Sequence, residues 1–253
     1  MRISIQQFYG IEINDFAVSV AKTALWIAES QMWEETKDIF YADWDFLPLK
    51  TYTNIHEGNA LTMDWNKIIP SYACHCIMGN PPFVGYTLQS KSQKEDLKQL
   101  FKDVRNLDYV ACWFLKACGF IANTNVEVAF VATNSIIQGE QVISIWKNIM
   151  KRYNIVFNFA YRTFEWNSEA SEKAHVYVVI IGFSDKKFLI KNKKIYTGDS
   201  FKLVQHINPY LLDMDDIFIQ ERSKPLGTKK IIIKGSQPTD HGNLILKKKK
   251  KKN

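Results

Sequence analysis

Four consecutive residues, Asn80, Pro81, Pro82 and Phe83, join an amide, a rigid carbonyl and an aromatic ring in one short turn. They follow the apolar run Cys76, Ile77 and Met78, which reads as a buried strand; the prolines end its ladder because neither can donate a hydrogen bond. Successive prolines hold φ at about −65° and push the residue before them out of the helical region, so the turn is stiff and its carbonyls are aimed in advance. An exocyclic amine on a nucleobase is a poor nucleophile, because its lone pair is delocalised into the ring. The Asn80 side-chain oxygen and the Pro81 main-chain oxygen could accept its two hydrogens and push it towards a pyramidal, nucleophilic form. Phe83 could stack on a base held outside a duplex. Attack on a sulfonium methyl is then chiefly a matter of positioning. The turn also lies at the carboxyl end of a strand, where open α/β sheets bind ligands. On these four residues alone, a plain Pro-Pro turn capping a core strand is the alternative.

The elements around the turn read as an alternation of strands and helices. Residues 8–13 form a strand, apolar apart from Gly10 and Glu12, and Asn14 or Asp15 then caps a helix on which Phe16, Val20, Ala24 and Ile27 share a face. Glu12 ends that strand, where a carboxylate either accepts hydrogen bonds from ribose hydroxyls or is simply solvated. Residues 33–53 read as a polar, aromatic-rich loop, and 54–61 as a short strand and turn holding Asn59. Past Phe83 comes a polar stretch, residues 89–98, with Lys91, Lys94 and Lys98. A helix over 109–121 buries Val110, Phe114, Ala117 and Ile121; the apolar run 126–133 suits a strand of a parallel sheet, with a helix after it over 141–151. Residues 155–161 and 174–183 are further strands, the second read as the antiparallel strand that ends the sheet. Between them, Arg162, Phe164 and Trp166 could receive a flipped base or close the core. Beyond Lys186 the pattern weakens.

A chain of 253 residues that is 46% hydrophobic can bury one substantial α/β core, with little left for a second. The net charge of +7 comes mostly from Lys247 to Lys252, since the other 27 basic residues nearly balance 26 acidic ones. A basic surface must therefore be argued locally. Cys74, Cys76, Cys112 and Cys118 fit neither a disulfide framework nor a zinc pattern and read as reduced core thiols, which points to the cytoplasm. His56 and His75 stand at no metal-ligand spacing, so no metal is expected. The amino terminus has no apolar targeting segment, and no stretch approaches the length of a membrane span.

The turn resembles the catalytic motif of amino-methylating DNA methyltransferases, Asp/Asn/Ser-Pro-Pro-aromatic, whose Asn-Pro-Pro-Phe form goes mostly with adenine. The flanking text is more specific. Gln7 to Ile13, Ala24-Leu25-Trp26, Gly58-Asn59-Ala60-Leu61, Gly79 to Gly85, Leu107 to Val110, Thr133-Asn134-Ser135, Gln138 to Gln141 and Arg162-Thr163-Phe164 all resemble the MmeI-like methyltransferases, large bacterial enzymes of restriction-modification systems. The resemblance implies an α/β fold: a Rossmann-like S-adenosylmethionine-dependent methyltransferase sheet. It implies catalytic roles for Asn80, Pro81, Pro82 and Phe83, cofactor contacts at Glu12, Ile13, Asn59 and Ala60, and DNA contacts at Tyr86, Lys91, Lys94, Arg162 and Phe164. The implied partner is double-stranded DNA. Such enzymes begin with a strand and a Gly-x-Gly loop; none of the eleven glycines here stands two residues from another, so the sheet is expected to lack that first strand and loop. The expected organisation is a methyltransferase core over 1–205, a linker over 206–246 towards an absent target-recognition domain, and a low-complexity lysine tail over 247–253. An upstream nuclease and Gly-loop region would be a further partner. A non-catalytic remnant or DNA-binding subunit is the alternative, and methylation of a protein glutamine is a third.

Overall fold

A computed structural model of the protein describes residues 4–40, 54–101, 106–166, 176–188 and 192–220. Its largest buried side chains include Trp146, Phe114, Phe157 and Phe183, which meet on one face of a six-stranded sheet. Their rings approach mostly edge to face, as aromatic quadrupoles favour, and each such side chain contributes about 1.5–3 kcal/mol by leaving water.

The chain opens with β1 (Gly10–Glu12), α1 (Asp15–Phe40) and β2 (Ile55–Glu57). The first and last of these pair in parallel, Gly10 with Ile55 and Glu12 with Glu57. Asn14 caps α1, its side chain accepting from the Ala17 N–H at 2.9 Å. The helix is longer than expected and takes in residues 33–40, which had read as loop; the loop expectation for 41–53 falls outside the described residues. Its apolar face is not buried, since Phe16, Val20 and Ile27 are exposed and Val18 is the buried one among the described side chains.

Next come β3 (Cys76–Gly79), α2 (Lys91–Leu100), α3 (Ala111–Ile121) and β4 (Glu127–Thr133). The polar stretch after the Pro-Pro turn is therefore a helix. Ser90 starts it by accepting from the Gln93 N–H, while the Gln93 side chain accepts from the Ser90 N–H, a reciprocal cap that satisfies two donors. On α3 the expected face of Phe114, Ala117 and Ile121 is fully buried, along with the preceding Val110. A helix over α4 (Gly139–Val142), a π-helical turn at Ile143–Lys147 and α5 (Asn148–Arg152) follows.

The remaining strands are β5 (Ile155–Trp166), β6 (Val176–Asp185), β7 (Lys193–Thr197) and β8 (Ser200–Val204). The sheet order is β3-β4-β6-β5-β7-β8, with β3 parallel to β4, and β6 antiparallel to both β4 and β5. So β6 is antiparallel as expected but lies inside the sheet, not at its end. Arg162, Thr163 and Phe164 belong to β5, which continues past two irregularities in its pairing.

Among the described residues no strand pairing joins the β1-β2 sheet to the larger one. β3 is accordingly an edge strand with one bare face: Cys76 and Met78 are exposed, the latter by 80%, and the expected buried run is corrected on that point. Of the four thiols, Cys112 and Cys118 are core and Cys76 is not. Ile207 and Leu211 are buried in the main core, and the compact unit extends through Ile219.

Candidate active site

Gly79 ends β3 where the chain passes close to Phe130 of the neighbouring strand; a Cβ at Gly79 would lie 3.3 Å from that ring. Asn80 follows, exposed, its side chain hydrogen-bonded to no described residue. Pro81 is buried, Pro82 exposed and Phe83 half-buried. An amide with free acceptors therefore stands beside a carbonyl whose residue is fixed in the core.

The loop after the turn is held from behind. The Val84 carbonyl accepts from the Tyr109 N–H at 3.0 Å and from Gln89 Nε2 at 3.1 Å, and Gln89 Nε2 also donates to the Leu107 carbonyl at 2.8 Å. Between those residues Asp108 is buried, and its Oδ2 accepts from Thr133 Oγ1 at 2.8 Å and from Ser135 Oγ. Thr133 and Ser135 lie where β4 ends. Because β3 and β4 are parallel, both exits fall on the same edge of the sheet, and Asp108 ties one to the other. Sequence reasoning missed Asp108 and Gln89. The segment around Asp108 was noticed for its likeness, not for a buried acid among apolar neighbours, which was the available signal.

β5 runs in the same direction as β3 and β4, since it is antiparallel to a strand antiparallel to β4. Val178 of β6 pairs with Thr133 on one side and Phe164 on the other, so Phe164 is level with the exit of β4. The three strand steps from β3 to β5 span about 14 Å. Arg162 is exposed, and the Phe164 ring lies 5.0 Å from that of Tyr161 and 6.4 Å from that of Trp166. On the other side, Lys94 Nζ of α2 sits 4.9 Å over the Tyr86 ring, and Lys91 is exposed on the same helix. Asn80 to Phe83 and the Arg162–Phe164 stretch thus share one edge of the sheet.

Glu12 and Asn59 occupy the carboxyl edge of the small sheet. Glu12 Oε1 accepts from the N–H groups of Ile13 at 2.9 Å and Asn14 at 3.2 Å, and Oε2 has no hydrogen-bond partner among the described residues. Asn59 Oδ1 caps its own turn, accepting from the Leu61 N–H at 2.9 Å, while its amide group keeps its donors. Ala60 offers its carbonyl to Trp65 Nε1 at 2.8 Å. Gly58 has φ at 154°, a backbone conformation that residues with a Cβ rarely adopt. A carboxylate oxygen for a diol and an amide for a purine edge suit a nucleoside-bearing cofactor. Among the described residues no group of three or more His, Cys, Asp or Glu side chains could hold a metal.

Residues 1–197 match the methyltransferase domain family of MmeI, described as MmeI, DNA-methyltransferase domain. The chain belongs to that family. It is 40% identical over 249 residues to DNA methyltransferase A of Bacillus subtilis (strain 168), covering 96% of this chain and 28% of that protein. It is also similar, with 40% identity and a TM-score of 0.85, to the structure of the Type IIL restriction-modification enzyme MmeI in complex with DNA; the match covers 96% of this chain and 33% of that one. The MmeI-family chain described here therefore spans about a third or less of the length of these relatives. Its Rossmann-like methyltransferase fold follows from the second likeness. Among the described residues no helix is long and apolar enough to cross a membrane.

Proposed function

We propose that this chain is the methyltransferase portion of a site-specific, adenine-modifying DNA methyltransferase of a restriction-modification system. S-adenosylmethionine is the methyl donor and double-stranded DNA the substrate. The observation that carries the reading is the exposed Asn80 amide, without a hydrogen-bond partner among the described residues, beside the buried Pro81 at the end of β3, in a chain of the MmeI methyltransferase family.

The donor supplies an electrophilic methyl on a sulfonium. Asn80 Oδ1 and the Pro81 carbonyl accept the two hydrogens of the target amine and localise its lone pair on nitrogen. Phe83 stacks on the extruded base, and Tyr86, Lys91, Lys94, Arg162 and Phe164 meet DNA backbone and bases. The donor would leave as the neutral thioether, and the target amine, held by Asn80 and Pro81, would release one proton to water. Glu12 accepts from the ribose hydroxyls, with Ile13, Asn59 and Ala60 framing the adenine moiety. A nuclease and Gly-loop region upstream and a target-recognition domain downstream are the proposed covalent partners, with 206–246 leading to the latter.

Transfer of labelled methyl from S-adenosylmethionine to DNA tests this. Asn80→Ala is expected to lower the rate by about 100-fold or more, as loss of a group acting on the reacting atom does, with cofactor affinity unchanged. A chain that binds DNA yet transfers nothing, in the wild type as in Asn80→Ala, favours the alternative of a non-catalytic DNA-binding portion. That alternative has one structural support, the separation of Glu12 and Asn59 from Asn80 on sheets that share no pairing among the described residues.

A further inference from the structure

Donor and acceptor groups stand on different sheets, so something other than strand pairing must set the distance between them. The turn after Asn59 is where the small sheet meets the main core. Leu61 is buried there, and the Trp65 ring meets Phe120 of α3 edge-on at 5.5 Å. One helical turn before Phe120, Lys116 Nζ donates to the Leu61 carbonyl at 2.9 Å and to the Met63 carbonyl at 2.7 Å. Asn59 holds the same two residues from the opposite side: its side chain accepts from the Leu61 N–H and its carbonyl from the Met63 N–H at 3.0 Å. Leu61 and Met63 are thus clamped, N–H groups to Asn59 and carbonyls to Lys116.

The same helix reaches the acceptor half. Residues 107–109, just before α3, hold the Val84 carbonyl and Gln89 behind the Asn80 turn. Lys116 lies seven positions beyond Tyr109, about 10 Å along the direction of α3. Partial burial lowers the Lys116 pKa, and nearby Asp64 opposes that shift. Hydrogen bonds from a cation to carbonyls are among the stronger ones available.

We propose that Lys116 is a positioning residue that fixes the Asn59 turn to α3 and so sets the separation of methyl donor from target amine; the second half of this statement rests on the methyltransferase reading above. Lys116→Met keeps the aliphatic stem and removes both bonds. It is expected to weaken S-adenosylmethionine binding by about tenfold or more, and to speed amide exchange at Leu61 and Met63 by a similar factor, with exchange in the α3 interior unchanged. Lys116→Arg, which retains cationic donors, is expected to restore most of both.

Both quantities are read on the full chain, by calorimetry and by hydrogen exchange with mass spectrometry. Wild-type binding and wild-type exchange in Lys116→Met overturn the proposal. If Lys116→Met does not melt cooperatively, Lys116→Gln, uncharged and too short to span both carbonyls, is read in its place, and unchanged binding and exchange there overturn the proposal equally. If the wild-type chain binds no S-adenosylmethionine either alone or extended upstream by the Gly-loop region, the methyltransferase reading and the distance-setting role both fail, whereas the clamp itself then stands or falls on the exchange data alone.

Discussion

Asp108 shows how a residue with no place in the chemistry can govern its geometry. Its carboxylate accepts two hydroxyl hydrogen bonds from the exit of β4, and its neighbours grip the loop after Asn80. Asp108→Ala leaves the Thr133 and Ser135 hydroxyls with little but each other, and a buried polar group without its acceptor costs about 1–3 kcal/mol. Urea unfolding is expected to show that loss for Asp108→Ala and a smaller one for Asp108→Asn, because hydroxyls can turn to suit an amide. Equal stability of all three proteins would refute the tie. The buried thiols give a second residue-level expectation. Burial, reinforced by Asp96, pushes the Cys112 thiol from its ordinary value of 9.0 up to about 12. A thiol whose pKa rises on folding contributes stability that is complete below the unfolded value and is lost as pH climbs through the folded one. Cys112 therefore stabilises the fold fully at neutral pH and ceases to do so between pH 9 and 12. In a thiol-reagent titration near pH 8, Cys76 is expected to react at once and Cys112 and Cys118 only on unfolding. Rapid labelling of all the thiols would contradict this burial.

At the scale of elements, what could be read from sequence was what is local. α3 was legible because Val110, Phe114, Ala117 and Ile121 recur at three or four residues, and β4 because Val128 to Ala132 are all apolar. α2 was not, since its composition is polar; its reciprocal Ser90–Gln93 cap was nevertheless present in the text and could have revealed it. The extension of β5 through Arg162 to Trp166 was hidden by pairing irregularities that break the alternation on which strand reading depends. Strand order depends on distant partners, so the sequence reads the direction of β6 correctly but puts it at the end of the sheet instead of inside it. The site divides in the same way. Asn80 to Phe83 are contiguous and could be seen as a set. Lys116 and its acceptors lie more than 50 residues apart in the chain, and no periodicity reports such a bond.

For the molecule as a whole, the two unjoined sheets carry a physical consequence. β1 pairs only with β2, and β3 only with β4, among the described residues, so each presents a second edge of unmet N–H and C=O groups. Apolar side chains flank both: Met78 is 80% exposed on β3, and Ile13 and Phe16 are 69% and 73% exposed just past β1. An uncovered parallel edge beside apolar surface is a template for another chain's strand, which is why proteins elsewhere guard such edges with charge. The expected result is concentration-dependent association of the isolated chain, measured by sedimentation. Met78→Lys places a charge on the bare face of β3 without touching the core, and is expected to shift the chain towards monomer at equal concentration. A monomeric wild type across the accessible range would mean that these edges are covered, and that the sheets are joined by something other than the pairings described.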